Sequence, residues 1–398
     1  MTRPLEGIRV IELGTLLASP FCTLLLGDFG ADVIKLESEA GDDTRNYPPT
    51  YPGTDISAFY VAINRGKRSI CLDLKKPGGK EAALKLCATA DAVVENLRLG
   101  VADRLGVGYE AVKARNPKIV YCSISGFGHM GPRAGEPAME LLMQAYSGQM
   151  SMMGHEGGPP ARYGSSMTDL STGLYSALGI VSAIHHRDRT GEGTYVRTSL
   201  LETQAALISY WWPTMQATGE VPGRMGSGHP MLTPYQSFAA KDGDVIIGVV
   251  SNHMFAGVTN AMGQPELADD PRFKTNADRL EHRDEIVTII GEFCAARTRR
   301  QVADAMRAEG VPATPVNTLA DILAEEQMQA MGGLASVDQP GVGPVDVARQ
   351  ALWFDGEQSG NMRPAASLGE HGREVLQEAG LGKDEIETLI ADGTLLKT

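Results

Sequence analysis

The segment Pro159-Pro-Ala-Arg-Tyr-Gly-Ser-Ser-Met-Thr-Asp169-Leu-Ser-Thr-Gly173 sets one carboxylate just ahead of a helical pattern. Leu170, Leu174, Ala177, Leu178, Val181, Ala183 and Ile184 recur at helical spacing as one apolar stripe, so Thr168 or Asp169 falls at the cap. The common reading of such a residue is an N-cap that satisfies orphan N–H groups. A second reading rests on the same physics. A helix N-terminus keeps a carboxylate ionised, and a buried, ionised carboxylate can attack an acyl group. Spacing alone favours the cap.

Other constellations narrow the chemistry. The turn Gly14-Thr-Leu-Leu-Ala-Ser-Pro20 follows a strand-like run but does not read G-x-G-x-x-G, and Gly191-Glu-Gly193 lacks a third glycine. No Walker-type phosphate loop is present. The eight histidines share no metal spacing, and the five cysteines form no C-x-x-C pair. Neither a metal nor a disulfide scaffold is expected.

The elements that must position these residues alternate in the first half. Ile8–Leu13, Ala31–Glu37, Ser69–Leu74, Ala92–Glu95 and Lys118–Ser123 read as buried strands. Pro20–Gly30, Gly78–Thr89 and Tyr109–Ala114 read as helices between them. The fold class is therefore α/β, with a Rossmann-like, mostly parallel sheet plus a smaller α+β domain. A discontinuous large domain is expected over 1–200 and 330–398, a small domain over 225–325, and linkers over 201–224 and 326–345.

The 398 residues carry a net charge of -13, which disfavours nonspecific binding to polyanionic nucleic acids or membrane surfaces. Met1–Leu13 has no signal-peptide pattern, and the apolar stretch 174–184 is too short to span a bilayer, so a cytoplasmic protein is expected. A small anionic ligand remains compatible, because a local cluster of cations can oppose the global sign.

Taken in order, several segments resemble the class III CoA-transferases. They are Pro4-Leu-Glu-Gly-Ile-Arg-Val-Ile-Glu-Leu-Gly14, Ala18-Ser-Pro-Phe-Cys22, Gly30-Ala-Asp-Val-Ile-Lys-Leu-Glu37 and Asn64-Arg-Gly-Lys-Arg-Ser-Ile-Cys-Leu-Asp-Leu-Lys75. Glu95-Asn-Leu-Arg-Leu-Gly100, Ser125-Gly-Phe-Gly128, the Asp169 segment, Asp270-Pro-Arg-Phe273, Gly310-Val-Pro312 and Leu368-Gly-Glu-His371 continue the likeness. The family includes formyl-CoA, carnitine and dicarboxylate CoA-transferases and the related acyl-CoA racemases.

The resemblance implies that Asp169 is the nucleophile, forming a mixed anhydride and then an aspartyl-CoA thioester, and that Glu140 is an acidic neighbour. It implies CoA contacts at Leu72, Lys75, Asn96, Leu97, Arg98 and Arg104, with coenzyme A or acyl-CoA as substrate and no metal or redox cofactor. Lys67 and Arg68 are read as equally compatible with solvated charges, and Tyr47 and Tyr60 as lining the pocket. Leu17 stands where formyl-CoA transferases have a glutamine, so an oxyanion donor from that turn must be backbone N–H. The flap is expected at Gly226-Ser-Gly228-His229-Pro, with His229 able to orient a substrate carboxylate. Both departures point away from formyl or oxalate transfer and toward a larger acid such as a C4 or C5 dicarboxylate. The resemblance also implies an interlocked homodimer. A racemase is the main alternative, but Gly135-Glu-Pro-Ala-Met-Glu140 lacks the histidine that proton shuttling needs there. A non-catalytic acyl-CoA-binding protein is the other.

Overall fold

The computed structural model describes residues 3–397. In the first half, short strands alternate with helices. They are β1 (Arg9–Glu12), α1 (Ala18–Asp28), β2 (Asp32–Glu37), α2 (Ala58–Asn64), β3 (Arg68–Leu72), α3 (Pro77–Ala88) and β4 (Ala92–Glu95). There follow α4 (Val101–Leu105), α5 (Tyr109–Arg115), β5 (Val120–Ser125), α6 (Glu140–Tyr146), α7 (Met167–Thr190) and β6 (Thr194–Ser199).

The six strands pair in parallel in the order β3-β2-β1-β4-β5-β6, and Leu395–Leu396 adds an antiparallel edge strand on β3. This is the doubly wound order, whose direction reverses between β1 and β4. Successive strand residues feed opposite layers. Ile11, Ile34, Ile70 and Val93 pack with Leu86 of α3 and with Val375 and Leu376. Val10, Val33, Ala92 and Val94 pack with Leu25 and Leu26 of α1 and Ile180 and Ile184 of α7. Burial on both faces is why these strands read as continuous apolar runs.

Connectivity fixes where chemistry can happen. The β5-to-β6 connection runs through α6 and α7, so α7 returns antiparallel to the strands and its first turn opens at their carboxyl edge. That edge also carries the turn between β1 and α1.

Two units divide the chain: Met1–Gln149, Tyr163–Thr214 and Met331–Thr398 form the first, and Met150–Arg162 with Met215–Ala330 form the second. The second holds a three-stranded antiparallel sheet, Tyr235–Ala240, Gly243–Gly248 and Ala313–Pro315. Its core includes Phe238, Ile247, Phe255, Phe273, Ile290, Val302 and Met306. The segment Met150–Arg162 joins this unit because its backbone pairs there: the Gly226 N–H donates to the Gly154 carbonyl at 2.8 Å.

The stretches expected as linkers are largely structured. Helices Leu200–Ile208 and Trp211–Thr218 occupy most of 201–224, the first capped by the Ser199 hydroxyl accepting from the Glu202 N–H. Within 326–345, strand Leu334–Gln339 pairs with Gly343–Ala348 as a hairpin whose Val337, Val345 and Val347 pack on Tyr60 and Val61. Among the described residues no helix is long and apolar enough to cross a membrane.

Candidate active site

Asp169 is not the cap of its helix. Ser166 holds that position without a side-chain cap bond, and Asp169 is the third helical residue. Its half-buried carboxylate has no hydrogen-bond partner among the described residues. Burial, reinforced by repulsion from Glu140, pushes its pKa up to about 7. The helix end therefore does not hold this carboxylate strongly ionised, as the sequence suggested: desolvation outweighs the dipole. A carboxylate left unpaired and partly dry has lost stabilising partners, which makes it a better nucleophile than a solvated one.

Glu140 opens α6, and the fully buried Gln144 donates its amide to it. The same Gln144 accepts the Tyr163 N–H at 3.2 Å, tying the approach to α7 onto α6. Glu140 is thus oriented by Gln144 and close enough to Asp169 to raise it.

The buried face of α7 also differs from expectation. Of the expected stripe, Ala177, Ala183 and Ile184 are buried but Leu174, Leu178 and Val181 are exposed, whereas Thr168, Ser171, Thr172, Gly173 and Ser176 are buried. Small side chains let α7 approach α1 closely. A Cβ built on Gly173 would lie 2.9 Å from the Ala18 carbonyl oxygen. Hydroxyls on this face return to the helix itself, as Thr172 does to the Thr168 carbonyl at 2.7 Å. Asp169 precedes Gly173 by one turn, so it projects from the same side, toward α1.

The turn from β1 to α1 supplies the complementary donors. Leu16 takes a φ of +66°, and the buried Leu17 becomes the helix N-cap. The Thr15 N–H and C=O both bond the Asn96 amide, at 2.9 and 2.8 Å, and the Leu16 N–H donates to Asp42 at 3.2 Å. The N–H groups of Leu17, Ala18 and Ser19 have no acceptor among the described residues. Two or three adjacent free donors at a helix start are what a developing oxyanion requires.

A cleft of about 580 Å³ opens at the carboxyl ends of β1, β2, β3 and β4, lined in part by Leu13, Leu72, Lys75 and Leu97. Arg98 lines a smaller neighbouring recess of about 180 Å³, and Arg104 is exposed on α4. Among the described residues, none of Lys75, Arg98 and Arg104 has an ion-pair partner within 4.0 Å. Cations left unpaired at the carboxyl edge of such a sheet suit phosphate oxygens. The Asn96 amide, expected near the CoA path, braces the first turn through both of its bonds.

Lys67 and Arg68, which resembled solvated charges, are buried along with Asn64 and Arg65. Arg65 grips Asp28 through two bonds of 2.6 and 2.8 Å, and Arg68 joins Asp32 to Glu374 and Glu378. Lys67 reaches Glu12, which also holds Lys35. A partial sequence signal was visible: Lys35 stands between the apolar Ile34 and Leu36, and Glu12 directly follows Val10-Ile11. Tyr60 lines a separate cleft of about 410 Å³ beside Arg45, and Tyr47 is exposed.

In the second unit, the Gly226–Pro230 loop is held by Arg283, which donates to the carbonyls of His229 and Pro230 at 3.0 and 3.1 Å. Gly226 has a φ of +61°, and the Gly228 N–H closes a turn onto the Met225 carbonyl at 3.0 Å. His229 Nδ1 accepts the Met231 N–H at 3.2 Å, so in the neutral ring the proton is carried by Nε2. Among the described residues no group of three or more potential ligands is arranged to hold a metal.

Comparison with known proteins places this geometry. The model of CoA-transferase family III matches residues 5–372. The chain is 36% identical over 396 residues to the succinyl-CoA:glutarate CoA-transferase of Mus musculus, covering 99% of this chain and 90% of the relative. It is 39% identical over 320 residues to the acetyl-CoA:oxalate CoA-transferase of Acetobacter aceti, covering 80% and 82%. A solved CAIB/BAIF family protein from Brucella suis superposes with a TM-score of 0.85 at 36% identity, covering 95% of this chain and all of that one. A chain matched over nearly its whole length by this family model, and to this degree by its curated relatives, belongs to CoA-transferase family III.

Proposed function

We propose that this enzyme moves CoA from an acyl-CoA donor to a C4 or C5 dicarboxylate through covalent intermediates on Asp169. The Asp169 carboxylate attacks the thioester carbonyl, the C–S bond breaks, and a mixed anhydride forms with release of the CoA thiolate. The thiolate then attacks the aspartyl carbonyl, expelling the donor acid and leaving aspartyl-CoA. The acceptor carboxylate attacks that thioester, giving a second anhydride, and the returning thiolate takes the acyl group and frees Asp169. Each tetrahedral oxyanion would lie against the free N–H groups of Leu17, Ala18 and Ser19. The single observation that carries this reading is the half-buried Asp169 carboxylate without a partner, on the α1-facing side of α7.

Lys75, Arg98 and Arg104 are assigned to the phosphates of CoA, and Leu72 and Leu97 to its apolar path. The dicarboxylate acceptor is supported by the relative that uses succinyl-CoA and glutarate. A pairing of two copies is part of the same reading.

The test is Asp169→Ala, assayed with succinyl-CoA against glutarate, mesaconate and oxalate. Transfer should fall by at least about a thousandfold, as when an essential nucleophile is removed. Hydroxylamine should convert the activated Asp169 of the parent to its hydroxamate, expelling the acid or the CoA thiolate, and should modify nothing at this position in the variant. Transfer at the parent rate by Asp169→Ala would refute the mechanism, and a preference for oxalate over glutarate would refute the substrate class.

A further inference from the structure

The buried charges beneath the first turn have no part in the covalent steps, yet they are organised around it. Glu12 is fully buried on β1. Its Oε1 receives Lys35 Nζ at 2.6 Å, and its Oε2 receives Lys67 Nζ at 2.8 Å and the Thr23 hydroxyl. Each lysine also holds one end of the turn. Lys35 Nζ donates to the Gly14 carbonyl at 2.8 Å, and Lys67 Nζ donates to the Pro20 carbonyl at 2.8 Å. Lys35 pairs further with Asp42 at 2.8 Å, and Lys67 with Asn64 at 2.9 Å. Asp42 in turn takes the Leu16 N–H, and Asn96 takes both polar groups of Thr15. Every backbone polar group so engaged flanks Leu17, Ala18 and Ser19, whose own N–H groups stay free. The Ser19 hydroxyl, fully buried, is also without a partner.

We propose that Glu12, Lys35 and Lys67 form a positioning device for CoA transfer. The two ammonium groups fix the carbonyls at both ends of the first turn, and so aim its free N–H groups at the thioester carbonyl that Asp169 attacks. The proposal rests on the reading of Asp169 as nucleophile. Turn carbonyls clamped by buried charge cannot reorient when the oxyanion forms, which is the condition for donors to act without reorganisation. The cluster also sets the local field. With both lysines charged, their two positive charges balance Glu12 and Asp42, and loss of either proton leaves a negative charge beneath the donors.

Lys67 is the more easily discharged, because burial pulls it down to about 8 against the attraction of Glu12. Facing it are Glu12 from β1, Lys35 from β2, Asp42 from the following loop, Asn64 from α2 and the Cys22 thiol from α1. The parent's acylation rate is therefore expected to decline as pH rises through this range.

The experiment is a single-turnover acylation of Asp169 by succinyl-CoA, read by hydroxylamine trapping, in the parent and in Lys67→Met. Methionine keeps much of the lysine's volume while removing the charge and the donor. The acylation rate should fall about 10- to 100-fold, as for a displacement of about 1 Å in the donors, with KM for succinyl-CoA within about twofold. The decline above pH 8 should vanish from the variant. A folded variant that acylates at the parent rate, or keeps the alkaline decline, overturns the proposal. Should Lys67→Met fail to fold, Asn64→Leu carries the test, since it strips one acceptor from the ammonium and should move the alkaline decline to lower pH. An unmoved decline in that variant overturns the proposal equally. If the parent traps no acyl-aspartate at all, the reading of Asp169 fails and takes the positioning role with it. Trapping in the parent with unchanged Lys67→Met kinetics fails the positioning role alone.

Discussion

Asp169 is governed by two effects acting in the same direction. Burial raises its pKa first and Glu140 adds to it, bringing it to about 7. The nucleophile is the ionised form, so kcat/KM for the acyl-CoA should fall as pH drops through this value. Glu95 sits at the end of β4 with its carboxyl also pushed up to about 7 by burial, so an acid limb alone does not say which group is responsible. Glu140→Gln separates them. Removing the repelling charge lowers the Asp169 pKa, and the acid limb should move to lower pH by a fraction of a unit or more. A limb that stays in place would assign it to another group. The carboxylate itself was legible from its segment, but its environment was not. Nothing in the spacing around Asp169 says that Ser166 begins the helix, and Glu140 was expected beside it only from the family resemblance. The buried lysines were missed for a related reason. Lys67, next to Arg68, reads as surface, and only the three-dimensional placement of Glu12 shows where it goes, although Lys35 between Ile34 and Leu36 was a signal.

The strands and helices of the first unit were legible because both-face burial forces apolar runs, as in Val33-Ile34 and Val93-Val94. The orientation of α7 was not. A helical stripe of Leu174, Leu178 and Val181 would ordinarily be the core face, yet the first half of the buried face is glycine, serine, threonine and alanine, with Ile180 and Ile184 following only further along. Hydrophobic periodicity finds large side chains, whereas close helix packing selects small ones whose hydroxyls are satisfied by their own backbone. This exposes the spacing between α1 and α7 to a direct test. Gly173→Val would drive side-chain atoms into the Ala18 carbonyl, which already lies 2.9 Å from where a Cβ would be. Stability should fall by about 1–3 kcal/mol, as in other overpacked sites. Transfer should fall more than the unfolded fraction accounts for, because Asp169 and the donors of the first turn ride on the two helices that are pushed apart. Urea denaturation with parallel assay of the folded protein measures both. A variant with parent stability and parent activity would show that the close approach is not needed.

At the scale of the whole molecule, the same exposed stripe calls for a partner. Leu174 is 53% and Leu178 64% exposed, and Leu141 and Leu142 of α6 are 43% and 55% exposed. Contiguous large apolar side chains on the helix that carries the nucleophile are costly to leave in water. A second copy is the occupant that the family resemblance implies, and the chain's charge of -13 does not oppose it where the stripe is uncharged. Sedimentation of the purified protein should give twice the chain mass at micromolar concentration. Leu178→Glu places a carboxylate in the middle of the stripe without touching α1, so the fold of one chain should survive. Desolvating that charge in a dry interface costs more than a buried leucine contributes, so the variant should sediment as a monomer or dissociate at concentrations at least about tenfold higher than the parent does. Transfer should fall with the dimer fraction if the second copy supports the placement of α7. A Leu178→Glu protein that remains a dimer at parent affinity would put the interface elsewhere on the molecule.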